Sequence, residues 1–303
     1  MTRFRKNRDP EVSMNYEGAD LIFPHLGIVI KHLNNHITLF GNFDIAFYGI
    51  IIGIGMLIAL FVIEQDARRH HNDPNLYYDF FIAAIVCGVI GARLYYVAFQ
   101  WDYYKADPLS IFNIRQGGLA IYGGILAGCL AALVFCRIRK VTFFKISDSF
   151  FLGVLVGQFI GRWGNFFNCE AFGGYTDSLF AMRIREAIVN PSMISEDLLA
   201  HVINDNGIRY IQVHPTFFYE SCWNFLSFLF LYWYAGRQEP GSGNVTIRYF
   251  LLYGIGRFFI ESLRTDQLKI PGTSLAVSQC LSLLLVILML AVLCLRKLKK
   301  PAA

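Results

Sequence analysis

The sequence predicts an all-α integral membrane protein of about seven transmembrane helices, with a small external head between the fourth and fifth. Three observations predict it. Hydrophobic residues make up 55% of the 303 residues and charged residues 16%, with a mean hydropathy of +0.44. Seven stretches are apolar enough for a hydrocarbon core of about 30 Å, which takes around 20 helical residues to cross. Lys and Arg gather in particular connections, the mark of an oriented membrane chain. A soluble protein of many buried helices needs polar helix faces, and these are missing.

The elements follow in order. Residues 1–40 form a tail. Its basic residues are not followed by an apolar run, so it does not read as a cleavable signal peptide. The spans run roughly over 44–63, 79–99, 118–137, 148–167, 215–234, 246–263 and 275–295. The one sizeable polar insertion is 168–214, too short for an independent enzyme domain and long enough for a small head. No long linker divides the rest, so residues 41–298 are expected to form a single transmembrane domain carrying that head.

Orientation follows from the basic residues of alternate connections, which number twelve against seven. The richer set includes Arg137, Arg139, Lys140 and Lys145, and the terminal run from Arg296 to Lys300. That side belongs in the cytoplasm. The tail adds five basic residues to the other side, but charges far from the first span count less. The C-terminus is then cytoplasmic, and the N-terminus and head are external. The net charge of +5 is thus an orientation signal rather than a nucleic-acid footprint.

The seven cysteines show no CxxC spacing and read as small buried hydrophobes rather than metal ligands or disulfides. Gly153, Gly157 and Gly161 form one stripe on span four, and Gly49/Gly53 and Gly124/Gly128 repeat the interval. Small residues at this spacing let helix backbones approach, so packing explains them. The pairs Gly117–Gly118 and Gly123–Gly124 suggest a broken or re-entrant backbone at the outer end of span three, tolerated only where it is buried or lines a cavity.

The most informative run is GRWGNFFNCEAFGG, Gly161 to Gly174, at the outer end of span four. It places Arg162, Asn165, Asn168 and Glu170 within nine residues. A charge at mid-bilayer costs about 2.5–3.5 kcal/mol on insertion scales, so such clusters usually hold something charged. Three arginines, Arg93, Arg162 and Arg257, fall well inside the spans, and lysines avoid the spans altogether. Arginine's planar fork suits phosphate or carboxylate, and lipid phosphates are the available anions. Span six carries Arg257, Glu261 and Arg264 at i, i+4 and i+7, either a ligand site or an ion-pair ladder. Span five opens HPTFFYES, with His214 at its boundary and Tyr219 and Glu220 a turn in. Glu220 is read either as an arginine partner or as a substrate contact. The loop RQGGLAIYGG offers Arg115, Gln116 and Tyr122; span one carries Tyr48, on its own no more than an interface anchor.

Together these segments resemble the prolipoprotein diacylglyceryl transferase family. GRWGNFFNCEAFGG fits its signature G-R-x-G-N-F-x-N-x-E-x-x-G, and RQGGLAIYGG, HPTFFYE and RFFIESLR follow the family's order. The resemblance covers most of the chain from Tyr48 onward and leaves the tail unexplained. It implies a bacterial inner-membrane enzyme, its transmembrane domain catalytic. That enzyme moves the diacylglyceryl group of phosphatidylglycerol to the lipobox cysteine of a preprolipoprotein signal peptide. A thioether forms and glycerol 1-phosphate leaves. Neither cofactor nor metal is implied. Arg162 and Arg257 would grip the lipid phosphate and headgroup, Asn165 and Glu170 would shape the polar cavity, Tyr48 would line it, and Glu261 would hold Arg257. Tyr122 stands where many members carry histidine, the family's candidate base; here it is either that base or a hydrogen-bonder. The acceptor thiol belongs to the substrate, so Cys169 is incidental. Other classes compatible with the composition are a lipid transporter with an arginine-lined phosphate path, which inverted repeats would support, and a ligand-free scaffold, which the polar cluster argues against.

Overall fold

The computed structural model describes residues 18–39, 43–114, 117–270, 272–273 and 275–298. Arg115 and Gln116, part of the glycine-rich loop, lie outside the described residues, as do residues 1–17 of the tail.

The chain is mostly helical. Strands β1 (Leu21–Phe23), β2 (Ile28–Ile30), β3 (His36–Leu39) and β4 (Phe43–Ala46) precede helix α1 (Phe47–Arg69). Then come α2 (Pro74–Phe99), the short α3 (Trp101–Tyr104), α4 (Ile121–Arg139) and α5 (Phe143–Phe167). Strand β5 (Met182–Arg185), α6 (Glu196–Ala200), β6 (Ile203–Asp205) and β7 (Ile208–Val213) lead to α7 (Thr216–Ala235), α8 (Asn244–Glu261) and α9 (Val277–Leu298). The seven long helices fall on the seven apolar stretches. Among the described residues, five of them (α1, α2, α4, α5 and α9) are long and apolar enough to cross a membrane. Helix α8 carries Arg248, Arg257 and Glu261, and α7 is rich in Tyr and Trp, which lowers the mean hydropathy of both. Large side chains such as Leu57, Phe61, Ile82, Leu94 and Leu130 are exposed. So wide an apolar surface fits an integral membrane protein.

The chain divides into two compact units. Of the described residues, the first comprises those from 18 to Ile52, Ile160–Cys222 and Gly256–Leu283. It contains what the all-α expectation omits, a five-stranded antiparallel sheet in the order β2-β1-β5-β7-β6. Part of the expected tail is built into it: Leu21 pairs with Ile184 of β5, and the Tyr210 hydroxyl donates to the Ala19 carbonyl at 2.9 Å. One face of the sheet buries Leu21, Ile184 and Ile211 against Phe166 at the end of α5 and Phe217 at the start of α7. The sheet therefore packs on the end of α5, which opens the signature, and on the start of α7.

The second unit comprises, of the described residues, Gly53–Phe159, Trp223–Ile255 and 284–298. In it α2 and α4 approach at backbone distance, since a Cβ on Gly91 would overlap Ala127 and one on Gly123 would overlap Tyr95. Gly124 and Gly153 are also packing glycines, the latter against Ile63, but Gly128 and Gly157 face open space. Asp148 caps α8 by accepting from Thr246 N at 2.9 Å and Gly243 N at 2.8 Å, satisfying amides that helix geometry leaves free.

Arg93 has a structural use here. Its guanidinium donates to the carbonyls of Ser110, Ile111, Asn113, Gly117 and Gly118 at 2.7–3.2 Å. Gly117 and Gly118 take left-handed φ of 85° and 74°, which turns both carbonyls toward it. The irregular backbone therefore runs on to Ala120, while Gly123 and Gly124 lie inside α4. A lysine has three donors and no fork. Arg93→Lys should destabilise the protein by about 2–4 kcal/mol, because several charge-assisted hydrogen bonds made by a buried guanidinium are lost. The check is a lower apparent melting temperature in detergent with unchanged secondary structure.

Candidate active site

The polar residues of the first unit converge where α5 ends, α7 begins and α8 ends. The connection after α5 brings them together. Cys169 and Ala171 take left-handed φ of 50° and 56°, and Glu170 N donates to the Asn165 carbonyl at 3.1 Å. These two turns fold the Glu170 carboxylate back over the last turn of the helix. Asn165 Nδ2 donates to Glu170 Oε1 at 2.9 Å and Asn168 Nδ2 to the same oxygen at 3.3 Å. Arg162 Nη1 donates to Asn165 Oδ1 at 3.3 Å, which joins the arginine to the same network.

Glu220, on the second turn of α7, is 6% exposed and touches both Arg162 and Arg257. Its Oε2 is ion-paired with Arg162 Nε. Its Oε1 accepts from Arg257 Nη1 at 3.0 Å. Arg257 Nη2 also lies 2.6 Å from Glu261 Oε2, close but off the N–H axis, so this is an ion pair rather than an aligned hydrogen bond. The result is a chain Arg162–Glu220–Arg257–Glu261. Buried charges persist only when paired in this way. Sequence spacing identified the Arg257–Glu261 pair and left Glu220 between two roles. Its place between both guanidiniums is a tertiary fact.

The ladder does not extend to Arg264. Helix α8 ends at Glu261, so the i+7 register is lost, and Arg264 instead grips Asp266 with bonds of 2.8 and 2.6 Å. That guanidinium holds the Asp266 carboxyl below the usual carboxylate range.

Two glycines of the signature have steric causes. A Cβ on Gly164 would overlap the ring of Tyr48, the second residue of α1, so the glycine seats that tyrosine against α5. A Cβ on Gly173 would lie 2.6 Å from the Leu263 carbonyl and 2.8 Å from the Cβ of His214. Gly173 N donates to the His214 carbonyl and Gly174 N to the Leu263 carbonyl, each at 2.9 Å. Thr216 Oγ1 donates to the Ala171 carbonyl. The signature backbone thereby stitches together the segments that carry Glu220 and Arg257. His214 is a structural element of this junction; burial pushes its imidazole pKa down, and Nδ1 lies 3.4 Å from the Tyr219 hydroxyl.

Tyr122 belongs to the second unit, at the second position of α4, and is 58% exposed. Cys169 packs in the core beneath the sheet, where burial pushes its thiol up to about 11. At pH 8 only about one thiolate in a thousand is present at such a pKa, too few for a nucleophile. Cys169→Ser should leave turnover within about threefold of the parent, and alkylating reagents should modify Cys169 in the native protein only slowly at pH 8. Peptide mapping after timed alkylation checks the second outcome. Among the described residues, no group of three or more His, Cys, Asp or Glu side chains is placed to hold a metal ion.

Fold and site define a mostly helical membrane protein in which two half-buried arginines are paired with two buried carboxylates. The sequence profile of the family described as "Prolipoprotein diacylglyceryl transferase" matches residues 35–295, and the chain belongs to that family. It is 40% identical over 248 residues to a phosphatidylglycerol–prolipoprotein diacylglyceryl transferase of Clostridium botulinum, covering 82% of this chain and 91% of the relative. Relatives of the same name from Listeria welshimeri and Bacillus cytotoxicus are 38% identical over 261 residues and 36% over 267. These alignments cover 86% and 88% of this chain, and 88% and 90% of the relatives.

Proposed function

We propose that this protein transfers the diacylglyceryl group of phosphatidylglycerol to the lipobox cysteine of preprolipoproteins, forming a thioether and releasing glycerol 1-phosphate. Family membership sets the reaction class. The observation that supports this site is the pair of guanidiniums, Arg162 and Arg257, held on one buried carboxylate. They bind the lipid phosphate. The substrate thiolate attacks the glycerol carbon bearing the phosphate ester, the C–O bond breaks, and the leaving phosphate gains a negative charge. Fixed guanidiniums stabilise that charge more in the transition state than in the bound lipid, which accelerates the step. Glu261 positions Arg257. Asn165 and Glu170 orient Arg162 and contact the headgroup with Tyr48. No metal or cofactor enters this scheme.

The same reading takes α7 and α8 as spans alongside the five apolar helices, seven in all. The charges of Glu220, Arg257 and Glu261 are paired within the protein. Residues 168–214 form the head on the outer face of the bacterial inner membrane, with the N-terminus external and the C-terminus cytoplasmic, as the basic connections favour.

Purified protein in detergent, mixed with phosphatidylglycerol and a synthetic lipobox peptide, tests the reaction. Mass spectrometry should show a diacylglyceryl increment on the peptide, absent when its cysteine is serine. An unmodified peptide, with folded protein that still binds the lipid, overturns the reading in favour of transport.

A further inference from the structure

We propose that Glu220 is the general base that takes the proton of the acceptor thiol, released for that task when the lipid phosphate binds its two arginine partners. This inference rests on the transfer reading above, which leaves one proton without a taker. A free thiol has a pKa of about 8.5, so most of it is protonated at neutral pH and a base speeds attack.

Placement selects Glu220. Among the described carboxylates of the cluster, Glu261 is ion-paired with Arg257, and Glu170 accepts from two amides. Glu220 alone in the cluster is ion-paired with both Arg162 and Arg257. The sulfur must reach a carbon one oxygen away from the phosphorus, with reacting atoms about 3–3.5 Å apart. A phosphate on these two guanidiniums therefore brings the thiol beside the carboxylate that spans them.

Charge balance supports the same assignment. Arg162, Arg257, Glu220 and Glu261 sum to zero when all are ionised. A bound phosphodiester brings the cluster to −1. Its oxygens compete with Glu220 for the guanidiniums, and a buried carboxylate that loses such partners is relieved by a proton. In the reaction the S–H proton passes to Glu220, the C–S bond forms, and the C–O bond breaks. The phosphate becomes a dianion while Glu220 becomes neutral. The total stays at −1 throughout, so no net charge accumulates in a site that solvates charge poorly. Glu220 then returns its proton to water or to the departing phosphate. Neutralising Glu220 also frees both guanidiniums as the leaving group needs them most.

The test compares lipobox peptides carrying cysteine or reduced selenocysteine, whose selenol ionises without help. With wild-type protein both peptides are modified. Glu220→Gln keeps the hydrogen-bonding shape and loses the base. Its kcat with the cysteine peptide should fall at least about 100-fold, the usual contribution of a general base. Its KM for phosphatidylglycerol should stay level or fall, because a competing carboxylate is gone. The selenocysteine peptide should recover at least tenfold of that loss, and should recover none of the loss in Arg162→Ala. Cysteine turnover within threefold of wild type, or a Glu220→Gln defect equal for both peptides, overturns the inference while transfer stands. If Glu220→Gln does not fold, Glu220→Asp carries the same comparison: the shorter base must slow the thiol more than the selenol, and equal slowing overturns the inference. Wild-type protein that modifies neither peptide removes the transfer reading itself.

Discussion

Arg162→Ala should lower diacylglyceryl transfer by about 10²–10³, the effect of removing one fixed donor from a developing oxyanion. The loss has a second part. Glu220 would keep Arg257 but lose the partner on its other oxygen, and a buried ion pair stripped of one member costs several kcal/mol, up to about 3–5. Arg162 is about one-third exposed, so the structural part should fall below that range. Arg162→Lys separates the two effects. It restores charge but cannot reach Glu220, Asn165 and a phosphate from one planar group, so turnover should recover only in part. Peptide mass spectrometry reads the transfer, and thermal unfolding of the same preparation in detergent reads the fold. A fully stable Arg162→Ala protein with wild-type turnover would remove the arginine from the site.

Gly173→Ala should be nearly as damaging, though it touches no reacting group. The added methyl collides with the Leu263 carbonyl and with His214, both backbone-anchored neighbours that cannot rotate away. Overpacking of this kind costs about 1–3 kcal/mol. The strain falls on the junction that sets the distance between Glu220 and Arg257, so turnover should drop at least tenfold. Gly174→Ala is the matched control. A Cβ there meets nothing within 4 Å, so its turnover and melting temperature should stay near those of the parent. Equal effects for the two substitutions would refute the close-approach explanation.

The helices were legible in the sequence because hydropathy and length are local properties of a segment. The signature glycines were legible as a pattern, but their causes were not: Gly157 and Gly128 have open space beside them, while Gly91, outside the counted stripes, makes the tight α2–α4 approach. Strand β1 is only three residues long, too short to show alternation, and its partner β5 lies far along the chain. A tail and a strand look alike until that partner is known.

The charged residues divide in the same way. Composition and position marked Arg93, Arg162 and Arg257 as arginines that need partners, since a lone charge in an apolar span is too costly to keep. They did not reveal which partner each one takes. Arg93 spends its donors on five backbone carbonyls, Arg264 turns to Asp266, and Arg162 and Arg257 share Glu220. The sequence by itself determined the membrane class, the order of the helices, the family and the residues able to carry charge chemistry. Only the tertiary structure decided which charges meet, because ion pairing depends on distances of a few ångströms between segments such as α7 and α8, whose paired residues stand 37 positions apart in the chain.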